Sequence, residues 1–291
     1  MSENVTRKRI KIISQTGSDM SLEEAERLGI ELIPDIVRFK NEEFRVRYEI
    51  SDRDFYERMQ AEKELPTSSH PSVGDFVKSY TAAKEAGADE IVCITVTSKM
   101  SGSYDTALAA KRMMERRGAG AAVYVYDSAQ CSHGVVPLLR EAARLAADGI
   151  SACEIIKALD ELKGRIAVYF MLDTLENAQK GGRVGKIKAA AADFLGLKPV
   201  LVFKDGACED FLVARNYAGG VRKLTELFKA DVDPSYGVTV FHGNVPEKAE
   251  EIKKMIETER KECSVSAEYV GSVIGIFSGS GAIGIAYVRR N

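Results

Sequence analysis

Apolar and polar positions along the chain fall into blocks of two periods. Residues 91–96 (IVCITV) form a continuous apolar run ahead of a polar turn, the pattern of a strand buried on both faces of a parallel sheet. Residues 11–14 and 121–126 (AAVYVY) are further β-prone runs. Residues 72–86, 102–117 and 134–147 instead read as helices, the first with apolar positions every three or four residues. Ser21 with Glu24 three residues later makes a capping box that opens a helix, and Ser72 is placed to cap another. Residues 31–39 read as a second strand, bent or pushed to an edge by Pro34. Residues 51–60 read as a polar helix, and 66–71 as a loop bounded by prolines. This βαβα rhythm through about residue 148 predicts a parallel sheet with helices on both faces.

The second half has a different rhythm. A helix over 151–163 leads to a strand over 166–172 (IAVYFML), a short helix over 174–180 ended by Gly181-Gly182, and a small-residue helix over 184–195. Runs at 199–203 and 208–213 flank Asp205-Gly206, a hairpin signal. Helices are expected over 216–229 and 246–259 with a strand at 238–241 between them, then strands over 266–270, 273–277 and 283–288. The fold class is therefore α/β with two domains, a parallel-sheet domain over 1–150 and an α+β domain over 151–291. At 291 residues the chain has the length for two medium domains.

Composition narrows the function classes. Lys+Arg 41 against Asp+Glu 43 gives a net charge of −2, so no whole-protein basic field for nucleic acid exists. An apolar share of 45% excludes a disordered chain. No run of about 18 apolar residues is present, and the charged start lacks the apolar stretch of a signal peptide, so a cytoplasmic protein without a membrane span is expected. The five cysteines include no CxxC pair, which fits free thiols in a reducing compartment, and no Cys or His pair has zinc-ligand spacing.

Two hydroxyl-rich loops carry the candidate chemistry. One is Pro66-Thr67-Ser68-Ser69-His70-Pro71-Ser72; the other is Thr97-Ser98-Lys99-Met100-Ser101-Gly102-Ser103, directly after the buried strand. Each opens a helix, whose free N–H groups suit an anion, although plain helix capping accounts for the same residues. Gly279-Ser280-Gly281-Ala282-Ile283-Gly284 matches GxGxxG but lacks the following helix and the acid about twenty residues on that a dinucleotide site requires. There is neither a P-loop nor a GxSxG elbow, and His70, His133 and His242 are isolated. A Ser/His/Asp set assembled in space stays open as an alternative, a serine-dependent hydrolase or transferase acting on a small acyl substrate. Arg183, after Gly181-Gly182, could clamp a carboxylate or phosphate.

The first hydroxyl loop resembles the Pro-x-Thr-Ser-Gln-Pro-Ser loop of the DegV family of fatty-acid-binding proteins. Thr97 to Tyr104 resembles that family's Ser-Ser-x-Leu-Ser-Gly-Thr-Tyr loop, and Lys180-Gly181-Gly182-Arg183-Val184 its Gly-Gly-Arg-Ile turn. Leu197-Lys198-Pro199-Val200-Leu201 and the run from Gly271 to Gly281 follow in family order, so the resemblance spans nearly the whole chain. It implies a two-domain DegV-like fold with one long-chain fatty acid, such as palmitate, stearate or oleate, at the domain interface. It also implies a non-catalytic bacterial carrier serving phospholipid metabolism. A separate ATP-dependent fatty acid kinase would make acyl phosphate from the held acid. The bound acid is then the ligand, with no other cofactor and no metal, and the carrier's need to exchange lipid allows transient contact with a membrane surface.

By motif position, the resemblance puts the carboxylate-binding hydroxyls on Ser68 and Ser101, with Thr67, Ser98 and Ser103 in support. Arg183 and Arg215 fall where family members carry arginines linked to phosphotransfer or kinase docking. Three departures stand out. The family's Thr-Asp-Ser reads Ser14-Gln15-Thr16, so an expected carboxylate is missing. The first loop has Ser68 for Thr and His70 for Gln. Phe277 replaces a family His near the ligand head group, and Ser280 a Pro; these bear on kinase-coupled phosphorylation more than on binding. A C16–C18 chain would bury about fourteen or more CH₂ groups at about 0.8 kcal/mol each, roughly 11 kcal/mol, which can exceed an association cost of roughly 4–15 kcal/mol. Residues 166–172, 189–195 and 273–277 are the apolar segments expected to line the tunnel.

Overall fold

The computed structural model describes residues 8–62, 64–116, 118, 121–182 and 197–291. The predicted helix over 184–195, the tunnel segment 189–195 and Arg183 lie outside the described residues. The described residues form three sheets.

The first sheet is wholly parallel, in the order β2 (Glu31–Ile33), β1 (Ile10–Gln15), β6 (Glu90–Thr95), β7 (Ala122–Asp127). Every residue of β6 is buried, as its unbroken apolar run requires. Its side chains alternate between two cores. Ile91 and Cys93 face α3 (Val73–Glu85) and α4 (Ser103–Arg116) through Phe76, Tyr80, Ala107 and Met114. Val92 and Ile94 face α1 (Leu22–Arg27), α5 (Val136–Ala147) and α6 (Ala152–Lys163). Helix starts follow the polar signals: Ser21 accepts the Glu24 N–H, and Ser72 with Asp75 and Ser151 with Glu154 complete capping boxes.

The larger sheet has the order β10 (Ala207–Ala214), β9 (Lys198–Lys204), β8 (Ile166–Met171), β13 (Ile283–Val288), β11 (Val238–His242), β12 (Val265–Tyr269). Only the β11–β12 pairing is parallel. One face packs on α8 (Tyr217–Asp231) and α9 (Pro246–Glu259) through Leu224, Phe228, Ile252 and Ile256. The opposite face, with Val168, Phe203, Phe241 and Ala286, joins the core of the first sheet. The hairpin between β9 and β10 turns at Asp205 and Gly206, both with positive φ (48° and 82°), as its Asp-Gly signal predicts. Its tip docks on the loop after β6, where the Thr97 hydroxyl donates to the Gly206 carbonyl at 3.0 Å.

The third sheet, β4 (Glu42–Arg45), β3 (Ile36–Phe39), β5 (Thr67–Ser69), covers α2 (Asp52–Ala61) and α10 (Ser272–Ser278). It corrects three sequence readings. The 31–39 run is two strands, because Pro34 breaks it and Ile36 onward pairs in a different sheet. The 66–71 loop contains β5, whose Ser68 pairs with Val37. Residues 273–277 are helical, not a strand. A short apolar run buried on several sides has no period that separates the two forms, and here tertiary partners decide. Asp19 accepts the Gly271 N–H at 3.0 Å and Asp52 the Ser272 N–H at 3.2 Å, which satisfies the first turn of α10, and Gly279 (φ 71°) ends it. Arg47 lies 3.0 Å from Asp52 and 3.8 Å from Asp19, so these buried carboxylates share one guanidinium.

Candidate functional site

Two adjoining cavities lie where β5, the loop after β6, the large sheet and α10 converge. The inner one has a volume of about 70 Å³ and almost purely apolar walls: Val168 and Phe170 of β8, Leu201 and Phe203 of β9, Phe241 of β11, and Ile274 and Phe277 of α10. The other has a volume of about 170 Å³ and is bounded by Gln15, Asp35, Ser68, His70, Thr97 and Ser101, closed by Val273, Ile274 and Phe277. Met100, Cys131, Ile274 and Phe277 border both, so a greasy space and a polar one lie on either side of the same side chains. A more open pocket bounded by Glu64, Leu65, Thr67, Ser68, Lys180 and Phe277 adjoins the polar end from outside.

Strand alternation turns Ser68 inward: along β5, Thr67 and Ser69 are exposed and Ser68 is half-buried. Ser101 is set by the turn into α4, where its backbone N–H donates to the Thr97 carbonyl at 3.2 Å and its hydroxyl accepts the Ser103 N–H at 3.2 Å. The two hydroxyls, 33 positions apart in sequence, border the same polar cavity. Thr67 lies at the outer pocket only. Ser98 is turned away, with its hydroxyl donating to Asp127 at 2.5 Å, and Ser103 is fully buried outside the walls of these cavities. Phe277 borders all three spaces and lies so close to α7 (Glu176–Gly181) that a Cβ on Gly181 would fall 2.2 Å from its ring. Arg215 is exposed after β10 and borders none of these cavities.

The polar end has a carboxyl that the sequence reading missed. Gln15 stands where an acid was expected, and Asp35 supplies one from the turn before β3. Asp35 accepts from the Gly17 N–H at 2.7 Å, the Thr16 hydroxyl at 3.1 Å and the Gln15 amide at 2.9 Å. Burial pushes its carboxyl up to about 6 against those three donors. The only sequence signal was an acid inside an otherwise apolar run, LIPDIV. His70 places Nε2 3.0 Å from the Thr106 hydroxyl, and burial lowers its pKa. His133 and His242 are buried and pushed down to about 4, so both are neutral at pH 7. Among the described residues no hydrogen bond joins Ser68 or Ser101 to a histidine, and no cluster of His, Cys, Asp and Glu could hold a metal ion. The 279–284 glycines lead into β13 rather than a helix, so the dinucleotide reading fails on context.

Comparison with known proteins decides the family. Residues 9–290 match the family model described as "Uncharacterised protein, DegV family". The chain belongs to the DegV family. It is 31% identical over 281 residues to a DegV domain-containing protein of Halalkalibacterium halodurans, covering 96% of this chain and 98% of that one. It is 32% identical over 287 residues to the protein DegV of Bacillus subtilis, covering 96% and 98%. The crystal structure of DegV from Bacillus subtilis, described as a fatty acid binding protein, superposes with a TM-score of 0.86 at 29% identity, covering 97% of this chain and all of that one. A stearic-acid-binding protein from Eubacterium ventriosum superposes with a TM-score of 0.85 at 28% identity, covering 96% and 98%. These structures share the DegV fold, a parallel-sheet part joined to a mixed-sheet part. No described helix is long and apolar enough to cross a membrane.

Proposed function

We propose that this DegV protein binds one long-chain fatty acid in the paired cavities, between halves divided near residues 149–151, and carries it without transforming it. The acyl chain lies along the apolar cavity, and the carboxyl group meets Ser68 and Ser101 at the polar end. Two adjoining cavities, one with almost wholly apolar accessible walls and the other bordered by Ser68 and Ser101, carry this reading. Fatty-acid-binding relatives of the same fold support it. The expected chemistry is recognition: a carboxyl group accepts from hydroxyl donors, and roughly 0.8 kcal/mol per buried CH₂ supplies the affinity.

Removing both hydroxyls tests the head-group assignment. A hydrogen bond to a charged group contributes about 1.5–3 kcal/mol. Ser68→Ala with Ser101→Ala is therefore expected to raise the Kd for oleic acid by at least tenfold while leaving the thermal midpoint unchanged within about 2 °C. An unchanged Kd would refute the assignment. Hydrolysis of an acyl ester, or fluorophosphonate labelling at Ser101, would favour the hydrolase alternative.

The proposed role downstream is delivery to a fatty acid kinase, with Arg215 and Arg183 as candidate docking or phosphotransfer residues. Arg215→Ala is expected to leave oleic acid affinity unchanged and to lower acyl-phosphate formation with a cognate kinase. Phe277→His is expected to raise that rate; full competence of the parent protein would remove Phe277 from the account of kinase coupling.

A further inference from the structure

His70 borders the polar cavity together with Ser68 and Ser101, and the fold sets its tautomer. The Thr106 hydroxyl donates to the Gly102 carbonyl at 3.0 Å. A hydroxyl has one proton, so toward His70 Nε2, also 3.0 Å away, it accepts. Nε2 therefore carries a hydrogen in the neutral ring and in the charged one, and Nδ1 is the atom that gains or loses a proton. Among the described residues Nε2 has Thr106 as its partner and Nδ1 has none. The ring edge that holds both nitrogens lies over Gly102, where a Cβ would fall 3.0 Å from Cε1 and 3.7 Å from Nδ1. Gly102 is exposed and borders the same cavity, next to Ser101.

Resting on the fatty-acid reading above, we infer that His70 is a third head-group residue, which takes up a proton at Nδ1 and donates that N–H to the ligand carboxylate beside Ser68 and Ser101. One proton passes from solvent to Nδ1 on binding, and no covalent bond to the ligand forms or breaks. The site thereby prefers an ionised acid to a long-chain alcohol of the same length. Burial lowers the pKa of the unliganded ring below the ordinary 6.5, so it waits neutral at pH 7. A carboxylate in contact acts in the opposite direction and favours the charged ring. The charged and titratable groups on the elements around it are few. Asp75 of α3 is drawn back onto Ser72, Asp105 lies in the first turn of α4, and Lys99 is in the loop after β6. Asp35 and Cys131 are in the cavity wall, the thiol pushed well above 9. Asp35, raised to about 6, is the group whose titration overlaps that of His70.

Proton NMR of the full chain follows the ring hydrogen on His70 Cε1 through a pH titration, and His70→Gln identifies that signal by its loss. His133 and His242, pushed down to about 4, titrate below its window. Saturation with oleic acid is expected to raise the His70 midpoint by at least one pH unit, and saturation with oleyl alcohol to leave it in place or lower it. One pH unit corresponds to about a tenfold preference of the ligand for the charged ring. A free carboxyl ionises at about 4.3, so the ligand itself is charged throughout. The complex holds the extra proton between the two midpoints, so the Kd for oleic acid should rise by up to about tenfold across that window as pH increases. His70→Gln should still bind oleic acid, with a Kd flat over the same range, while Asp35→Asn should keep the rise. An unshifted or lowered His70 midpoint with oleic acid bound, or a pH dependence that survives His70→Gln, would overturn the inference and leave the fatty-acid reading standing. Failure to bind oleic acid at any pH would instead overturn the fatty-acid reading itself, and this inference with it.

Discussion

Asp35 holds its place through three donors while burial raises its carboxyl to about 6. Its unfolded value is near the ordinary 3.8, so the native state binds the extra proton between about pH 4 and 6. Stability from this group is thus greatest below pH 4 and declines as pH rises toward 6. Asp35→Asn keeps an acceptor for Gly17 and Thr16 and removes the charge. Its thermal midpoint is expected to gain on the parent's as pH rises from 4 to 6.5 and to keep a constant lead above that; a difference independent of pH would contradict the assignment. The loops of Ser68 and Ser101 stand out in the sequence as local hydroxyl-rich patterns, and the family resemblance is what singles out those two residues within them. Ser98 belongs to the same pattern as Ser101 yet donates to Asp127, a strand away, and only the β6–β7 pairing decides that. Asp35 was invisible as a site residue for the same reason: its partners are about twenty positions earlier and meet it only through tertiary packing.

At the scale of elements, strand β6 and the Asp205-Gly206 hairpin were legible because the physics is local: two buried faces demand an unbroken apolar run, and positive φ demands Asp-Gly. Helix α10 was not, because its first turn is satisfied by Asp19 and Asp52, more than two hundred residues away. Gly275 lets α10 approach α2; a Cβ there would lie 2.7 Å from the Tyr56 hydroxyl and 2.9 Å from Phe55. Gly275→Val is therefore expected to destabilise the fold by about 1–3 kcal/mol, lowering the thermal midpoint by several degrees and loosening the wall that carries Ile274 and Phe277. An unchanged midpoint would mean that α10 has room the packing denies.

Across the whole molecule, the parallel sheet and the α+β character of the second half were foreseen while the small β3–β4–β5 sheet was not, and the β8 segment was expected as a cavity wall, which fits Val168 and Ala167 alternating between two cores. The cavity itself could not be read off, since it is the space left between elements. Ala178 of α7 borders the apolar cavity and is 3% exposed. Ala178→Phe should fill room for several carbons, at about 0.8 kcal/mol each. Affinity for stearic acid is expected to fall by about tenfold or more, and affinity for myristic acid by less than threefold; equal losses would indicate general disruption rather than a shortened slot.

Native mass spectrometry of the intact protein after incubation with oleic acid is the measurement that bears most directly on the paired cavities. One bound acid per chain is expected, lost on denaturation and absent when Ser68→Ala, Ser101→Ala and Ala178→Phe are combined. A spectrum containing only the bare chain at saturating oleic acid would contradict the account.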